Sequence, residues 1–484
     1  MMDIMNENMD KIAPIIEGFC NDVRKSNFIN PSYYDKFGAK VGLRNSDGSG
    51  VMVGLTKVCS VQGYLMSDGE RMPTDGKLIY RGVDMRDIVN ACIKEDRFGF
   101  EEVIWLLIFG YLPTEAQLEG FKQLLAEHRE LPPGFTEDMI MKAPSPDIMN
   151  KLSRSVLALY SYDDNPDDTS IENVLNQSIR LIAQLPSIMV YAYQVKRRHY
   201  YKKSMYLHSL KPNLSTAESI LHMLRFNSSF TDEEAKLLDL CLIIHAEHGG
   251  GNNSAFATRV LSSSGTDTYS AIAAAIGSLK GPRHGGANLK VVEMLDYIKA
   301  GVENPDDEAQ IVDFLRKIVR KEAGDGSGLI YGMGHAVYTL SDPRAVILKE
   351  NARRLAEKHG YGQDFKILET VEKYTPDVLA QERGEKRIIC ANVDLYSGLV
   401  YKVLGIPQDL FTPIFAIARI AGWCAHRLEE LLTGRKIIRP AYKYVSPPKE
   451  YCSIEDRAHE YDVAQTNDYN TIEERLSRKS NQSV

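Results

Sequence analysis

The strongest constraint in this sequence is a helical rhythm of apolar residues that begins near Asp84 and persists to about Leu432. In Phe100–Leu112 apolar side chains recur at Val103, Ile104, Leu107 and Ile108, and Gly110 and Pro113 end the run. Asp306–Arg320 repeats the pattern at Ile311, Val312, Leu315, Ile318 and Val319, with acids in the first turn, where a helix dipole favours them. Asp342-Pro343 is a helix start, and Ala345, Leu348, Ala352 and Leu355 mark one face until Gly360 stops it. Thr412 is expected to cap, and Pro413 to open, a long helix through about Leu432. Residues 147–193 suggest helices split by the D-D-N-P-D-D loop at 163–168. Only residues 51–82, short Val, Leu and Tyr stretches broken by Gly, Asp and Pro, suggest a small β-hairpin region. The expected fold class is all-α, with little sheet. At 484 residues the chain is too long for one compact core, so two or more lobes are expected.

Composition excludes several classes of function. The net charge is −7, and a mildly acidic chain gives no support for a nucleic-acid partner. The stretch Lys196–Leu210 mixes bases with aromatics, but one short patch is better explained as a solvated surface insertion. The 7 cysteines are scattered and never in a C-x-x-C pair, which favours a reduced, cytoplasmic setting over disulfides or a thiolate zinc site. The first thirty residues, with Asp3, Glu7, Asp10 and Glu17, resemble neither a secretory signal nor a transit peptide. No run of eighteen apolar residues is present, so no membrane span is expected. An amphipathic patch at Ile12, Ile15, Ile16 and Phe19 could form a docking helix, and N-S-D-G-S-G at 45–50 suits a flexible turn. The polar tail after about Val445 is expected to be loosely held.

Histidine is scarce, yet of His245, His248, His284 and His335 three lie beside glycine-rich turns. In Ile243-Ile-His-Ala-Glu-His-Gly-Gly-Gly, His245 and His248 stand three apart on one helical face. That spacing admits a metal, a substrate contact or a capped structural histidine; the pattern is not the H-E-x-x-H of zinc hydrolases, and no third ligand is indicated. In Lys280-Gly-Pro-Arg-His-Gly-Gly-Ala-Asn, Gly281-Pro282 must break the preceding helix. His284 therefore sits between two helices near an N-terminus, which favours neutral imidazole over imidazolium. In Gly332-Met-Gly-His-Ala-Val-Tyr-Thr-Leu-Ser-Asp-Pro-Arg, Arg344 falls in a first turn, where a cation opposes the dipole and hints at an anionic ligand. In Cys390-Ala-Asn-Val-Asp, Asn392 is a candidate N-cap, which would put Asp394 in the first turn as an ionised carboxylate able to accept a proton. Arg419 lies between Ile417 and Ile420, and a buried cation needs an internal acid or a bound carboxylate. Arg439, before Pro440, is a further candidate. A surface arginine or a plain helix-start aspartate would explain several of these singly.

Taken in order, the segments H-A-E-H-G-G-G-N-N-S, G-S-L-K-G-P-R-H-G-G-A-N, G-M-G-H-A-V-Y with D-P-R, N-V-D-L-Y-S-G-L-V-Y and D-L-F-T-P-I-F-A-I-A-R-I-A-G-W resemble the citrate synthase family. G-K-L-I-Y-R-G-V-D at 76–84 and F-E-E-V-I-W-L-L-I-F-G-Y-L-P-T at 100–114 extend the likeness, which covers roughly residues 50–445. The resemblance implies an almost wholly helical, two-domain fold. A large domain would comprise 51–285 and 406–445, and a small mobile domain 286–405, flanked by an N-terminal extension (1–50) and a C-terminal tail (446–484). It implies condensation of oxaloacetate with acetyl-CoA, a co-substrate rather than a bound cofactor, and no metal. Asp394 matches the family's base, His284 the group that stabilises the enolate, and His335 the group that protonates the ketone oxygen. His248, Arg344, Arg419 and Arg439 match residues that hold oxaloacetate, with Arg439 reaching the site of a neighbouring subunit in a homodimer. Lys386 and Arg387 are candidate CoA contacts. The extension before residue 50 and the insertion near 196–213 exceed the short bacterial forms. The rival readings are 2-methylcitrate synthase using propionyl-CoA, a non-catalytic sensor of CoA or organic acid, and a chelator-sensitive hydrolase built on His245 and His248.

Overall fold

The structure is a computed structural model and describes residues 19–20, 23–24, 27–45, 49–67, 70–384, 388–434, 436–446, 451 and 453–454. Ile12, Ile15 and Ile16 of the amphipathic patch, Lys386, Arg387 and most of the tail lie outside the described residues. The chain divides into two compact units, one of residues 54–438 and one of residues up to 53 together with those from 439 onward. The latter holds a short helix α1 (Ser32–Lys36), and its Asn45 N–H donates to the Ser49 carbonyl at 2.8 Å. Arg439 belongs to this unit and is exposed.

The unit of residues 54–438 begins with a hairpin. Strands β1 (Cys59–Ser67) and β2 (Glu70–Tyr80) pair antiparallel, Cys59 opposite Tyr80, with a bulge between Gln62 and Tyr64, and the short β3 (Val83–Asp84) joins β2. Helices then follow: α2 (Met85–Lys94), α3 (Phe100–Phe109), α4 (Glu115–Glu127), α5 (Ile148–Leu159), α6 (Ile171–His199), α7 (Thr216–Leu224), α8 (Asp232–His245), α9 (Asn253–Ser263) and α10 (Thr268–Lys280). After these come α11 (Ala287–Gly301), α12 (Glu308–Val319), α13 (Pro343–Lys358), α14 (Gly362–Arg383), α15 (Asp394–Val403) and α16 (Phe411–Thr433). The fold is all-α apart from the hairpin. Local chemistry sets the boundaries. Thr114, Ser215 and Thr231 form reciprocal capping boxes with Gln117, Glu218 and Glu234, and α3 ends at Gly110 with φ 87°. No helix among the described residues is long and apolar enough to cross a membrane.

Helix α16 is the axis of this unit: every residue from Phe411 to Glu429 is buried. It packs against α3, α6, α8, α9 and α10. Such a helix shows no amphipathic face, so periodicity could locate it but not orient it. Thr412 also differs from the sequence expectation. It lies inside the helix, and its hydroxyl donates to the Gly285 carbonyl at 2.9 Å, tying α16 to the loop that carries His284. The basic stretch from Lys196 is likewise less solvated than expected. Lys196–His199 is the last turn of α6, and Lys196 is buried against Asp409 at 2.6 Å.

One buried acid pair has a consequence for stability. Asp239 accepts from the N–H groups of Gly99 (2.7 Å) and Phe100 (3.3 Å) at the start of α3, while Glu101 accepts from Thr216 N–H at 2.7 Å at the start of α7. Burial, with Glu101 nearby, pushes the Asp239 carboxyl up to about 8. A carboxyl that holds its proton more tightly in the folded state lowers stability as pH rises from the unfolded carboxyl range through about 8. Asp239→Asn keeps an acceptor for the helix and removes the titration. Thermal melts at pH 6 and pH 9 are expected to show a drop in Tm for the parent protein and a smaller drop for the variant; equal drops would refute the assignment.

Candidate active site

Helix α8 ends at His245, and the turn Ala246–Gly251 follows. The Tyr80 hydroxyl, brought from β2, lies 3.0 Å from the Ile243 carbonyl and 3.3 Å from that of Glu247, so the hairpin holds this turn. Arg419 of α16 donates through Nε to the His245 carbonyl at 2.7 Å. Its Nη1 and Nη2 are buried without a hydrogen-bond partner, and the Nε2 of His248 is in the same condition. Buried donors left unmade are costly, so this is where an anionic ligand would be bound most strongly. His245 donates through Nδ1 to the Cys241 carbonyl at 2.8 Å, and burial holds its imidazole down to about 3. Burial, with Arg344 and His335 nearby, holds His248 well below the ordinary imidazole range. Both rings are therefore neutral at pH 7.

Three loops bring chemistry to this point. The loop between α10 and α11 carries His284, whose Nε2 is 3.0 Å from the Ser254 hydroxyl. That hydroxyl also receives the Trp423 Nε1–H at 3.1 Å. A side chain on Gly285 would sit 2.4 Å from the Leu279 carbonyl, so only glycine allows the loop to fold back so closely. Burial, together with Arg419, brings His284 down to about 4, a stronger cause of neutrality than the helix end alone. The second loop carries His335. Its Nδ1 accepts from the N–H groups of Val337 (3.0 Å) and Tyr338 (3.1 Å), which leaves the ring proton on Nε2. The His335 ring lies 5.1 Å from that of His248 and stacks on Tyr338 at 4.5 Å. Gly63 and Gly76 in the hairpin leave room for residues 337–341, since a Cβ at Gly76 would meet the Ser341 carbonyl at 2.2 Å.

The third loop leads into α15 and carries Asp394. It is stitched to the His335 loop by Gly334 N–H to the Cys390 carbonyl (2.8 Å) and Asn392 N–H to the Gly332 carbonyl (2.9 Å). Asn392 Oδ1 accepts from Asp394 N–H at 3.0 Å, so it caps the helix from one residue before the capping position, which Val393 occupies. Burial pushes the Asp394 carboxyl up to about 6, against Arg344 and Arg419, which pull it down. Desolvation therefore outweighs both arginines, and a carboxyl near 6 is still ionised at neutral pH and able to accept a proton. The charge of Arg419 acts on His248, His284 and Asp394 alike, so these groups surround one centre.

A family model for the C-terminal domain of citrate synthase matches residues 46–441. The chain belongs to the citrate synthase family. A citrate synthase from Synechocystis is 35% identical over 407 residues, covering 82% of this chain and 92% of that protein. A 2-methylcitrate synthase from Shewanella oneidensis is 33% identical over 382 residues, covering 78% of this chain and 92% of its own. Among solved structures, citrate synthase from Thermoplasma acidophilum, in a ternary complex with carboxymethyl coenzyme A and oxaloacetate, superposes with a TM-score of 0.69 at 27% identity, covering 84% of this chain and 97% of that one.

Within this member of the family, Arg344 departs from its sequence reading. It is buried, and its Nε and Nη2 form a two-point pair with Asp342 at 3.0 and 2.7 Å. Asp342 also caps α13 through Arg344 N–H and accepts from Val393 N–H at 3.2 Å. The cation in the first turn is thus offset by an internal acid, and the anion argument passes to Arg419. Sequence reasoning missed Glu247, Ser254, Trp423 and His426. Only one signal pointed to them: Trp423 and His426 follow Arg419 at intervals of four and seven on α16, which is one helical face.

Proposed function

We propose that this protein condenses oxaloacetate with the methyl carbon of acetyl-CoA and hydrolyses the resulting citryl-CoA to citrate and CoA. Asp394 takes a proton from the methyl group, and its carboxyl near 6 suits a base that must be ionised at neutral pH yet accept a proton. Neutral His284 donates a hydrogen bond to the enolate oxygen, its ring held in place by the contact between Nε2 and the Ser254 hydroxyl at 3.0 Å. The enolate carbon forms a bond to the ketone carbon of oxaloacetate, and the ketone oxygen takes the proton from His335 Nε2. Water then cleaves the thioester.

Arg419 and His248 hold the substrate carboxylates, supported by the unmade hydrogen bonds at Nη1, Nη2 and Nε2. Arg344 contributes from the Asp342 pair. Arg439 completes the site of a second subunit in a homodimer, an assignment that rests on its family motif, and Lys386 and Arg387, basic residues outside the motifs just before that of Asp394, are candidate CoA contacts. The segment 286–405 acts as a small mobile domain that closes over both substrates and excludes water. The scattered cysteines favour the cytoplasm.

The observation that carries this reading is the convergence of Asp394, neutral His284 and His248 around the buried charge of Arg419, with the His335 ring 5.1 Å from that of His248. The 2-methylcitrate synthase relative favours a second reading with propionyl-CoA, and one methylene is worth only about 1–3 kcal/mol in a pocket. Release of CoA thiol with oxaloacetate plus either acyl-CoA separates the two. We expect fast release with acetyl-CoA, slower release with propionyl-CoA and no effect of EDTA. Absence of release with both would overturn the enzyme reading.

A further inference from the structure

One stripe of α16 reaches past the groups assigned above. Arg419, Gly422, Trp423 and His426 face the segment from His245 to Arg259. His426 is fully buried. Its Nδ1 lies 2.7 Å from Arg259 Nη2. Guanidinium only donates, so Nδ1 carries no proton and the ring's N–H is at Nε2. That Nε2 lies 3.1 Å from Glu247 Oε1, though its N–H is not aligned on that oxygen. The same Glu247 oxygen accepts the backbone N–H of His248 at 2.8 Å. Glu247 is itself completely buried, and its Oε2 has no hydrogen-bond partner. Gly422 makes this approach possible, because a Cβ there would stand 1.9 Å from Glu247 Oε2. Burial raises the Glu247 carboxyl, but His426 and Arg419 more than reverse this, bringing it down to about 2. Arg259 is anchored in turn by Glu429 and by Glu430 at 2.9 Å.

We propose that His426 is a positioning residue for oxaloacetate binding: its proton, fixed at Nε2 by Arg259, holds the Glu247 carboxylate that fixes the His248 backbone and stands beside Arg419. This rests on the reading of His248 and Arg419 as the oxaloacetate seat. When a substrate carboxylate takes up the Nη groups of Arg419, Glu247 loses part of its hold on that charge. The His426 N–H then becomes its main donor, and poorly aligned contacts of this kind tighten in the substrate complex. Without the relay, Glu247 is free to turn toward Arg419 and compete with the substrate. The loss falls on oxaloacetate affinity rather than on proton transfer, because His284 is bonded to Ser254 and Asp394 to Asn392, and neither to Arg259, His426 or Glu247.

Two substitutions separate the relay from mere packing. His426→Asn can still accept from Arg259 but is too short to reach Glu247. His426→Gln can do both. With acetyl-CoA saturating, His426→Asn is expected to raise the KM for oxaloacetate at least about tenfold with less than about a threefold change in kcat, and His426→Gln to stay within about threefold of the parent in both. Melting temperatures are read alongside. Arg259→Lys, which keeps a charge beside Glu429 and Glu430 but loses the fork that reaches His426, gives a second route and is expected to raise the same KM. Equal KM values for the Asn and Gln variants, or a fall in kcat without a change in KM, would overturn the proposal. A parent protein that neither turns over nor binds oxaloacetate would overturn the functional reading instead.

Discussion

Asp394→Asn is expected to lower kcat at least about a hundredfold, the lower end of what loss of a general base costs. Asparagine preserves the shape of the side chain at the start of α15 and the hydrogen bond between Asn392 and the Asp394 backbone N–H, but cannot take the methyl proton. The parent protein should show the same dependence as a pH effect. Its carboxyl, pushed up to about 6 by burial, is the working base only when ionised, so kcat/KM is expected to fall as pH drops through about 6. The variant should lack that acid limb. Stability gives an internal control: a carboxyl raised above its unfolded value destabilises the folded state at pH 8, so Asp394→Asn should melt no lower than the parent there. Full activity in the variant, or an acid limb that survives in it, would remove Asp394 from the base role.

Arg419→Leu should produce the second large effect, on kcat/KM for oxaloacetate. Truncating one partner of a buried, hydrogen-bonded charge pair costs about 2–5 kcal/mol, which is roughly 30-fold to several thousandfold in kcat/KM. The guanidinium is completely buried, lies over the Phe415 ring at 4.7 Å, and has only its Nε committed inside the protein. Arg344→Leu tests a different point. Its charge is already paired with Asp342, so that substitution is expected to lower the Tm as well, by leaving Asp342 unpaired. Steady-state kinetics and melts on both variants check this contrast. An unchanged KM in Arg419→Leu would place the carboxylate seat elsewhere.

Much of this was legible in the sequence. The helical period, the D-P-R start of α13, the glycine before Pro282 and the turn at Gly110 are local signals, and the helices begin and end close to where those signals stand. Hydrophobic period did not mark Trp423 and His426 as site neighbours, because every side chain along Phe411–Glu429 is buried, and only their spacing from Arg419 put them on its face. The pairing of Arg344 with Asp342 was two residues away in sequence, yet the choice between an internal acid and a bound anion depends on rotamers and burial, which spacing does not encode.

Sequence by itself determined the fold class, the family and the identity of the ordered motifs, since helix period, caps and breaks act over a few residues. Tertiary structure alone decided the electrostatic state of the site. The carboxyl of Asp394 near 6, the neutrality of His284, the Nε2 proton of His335 and the unmade bonds of Arg419 all follow from which groups are excluded from water together. Desolvation is a property of the assembled core. It arises only once the hairpin, three loops and α16 have closed around one point.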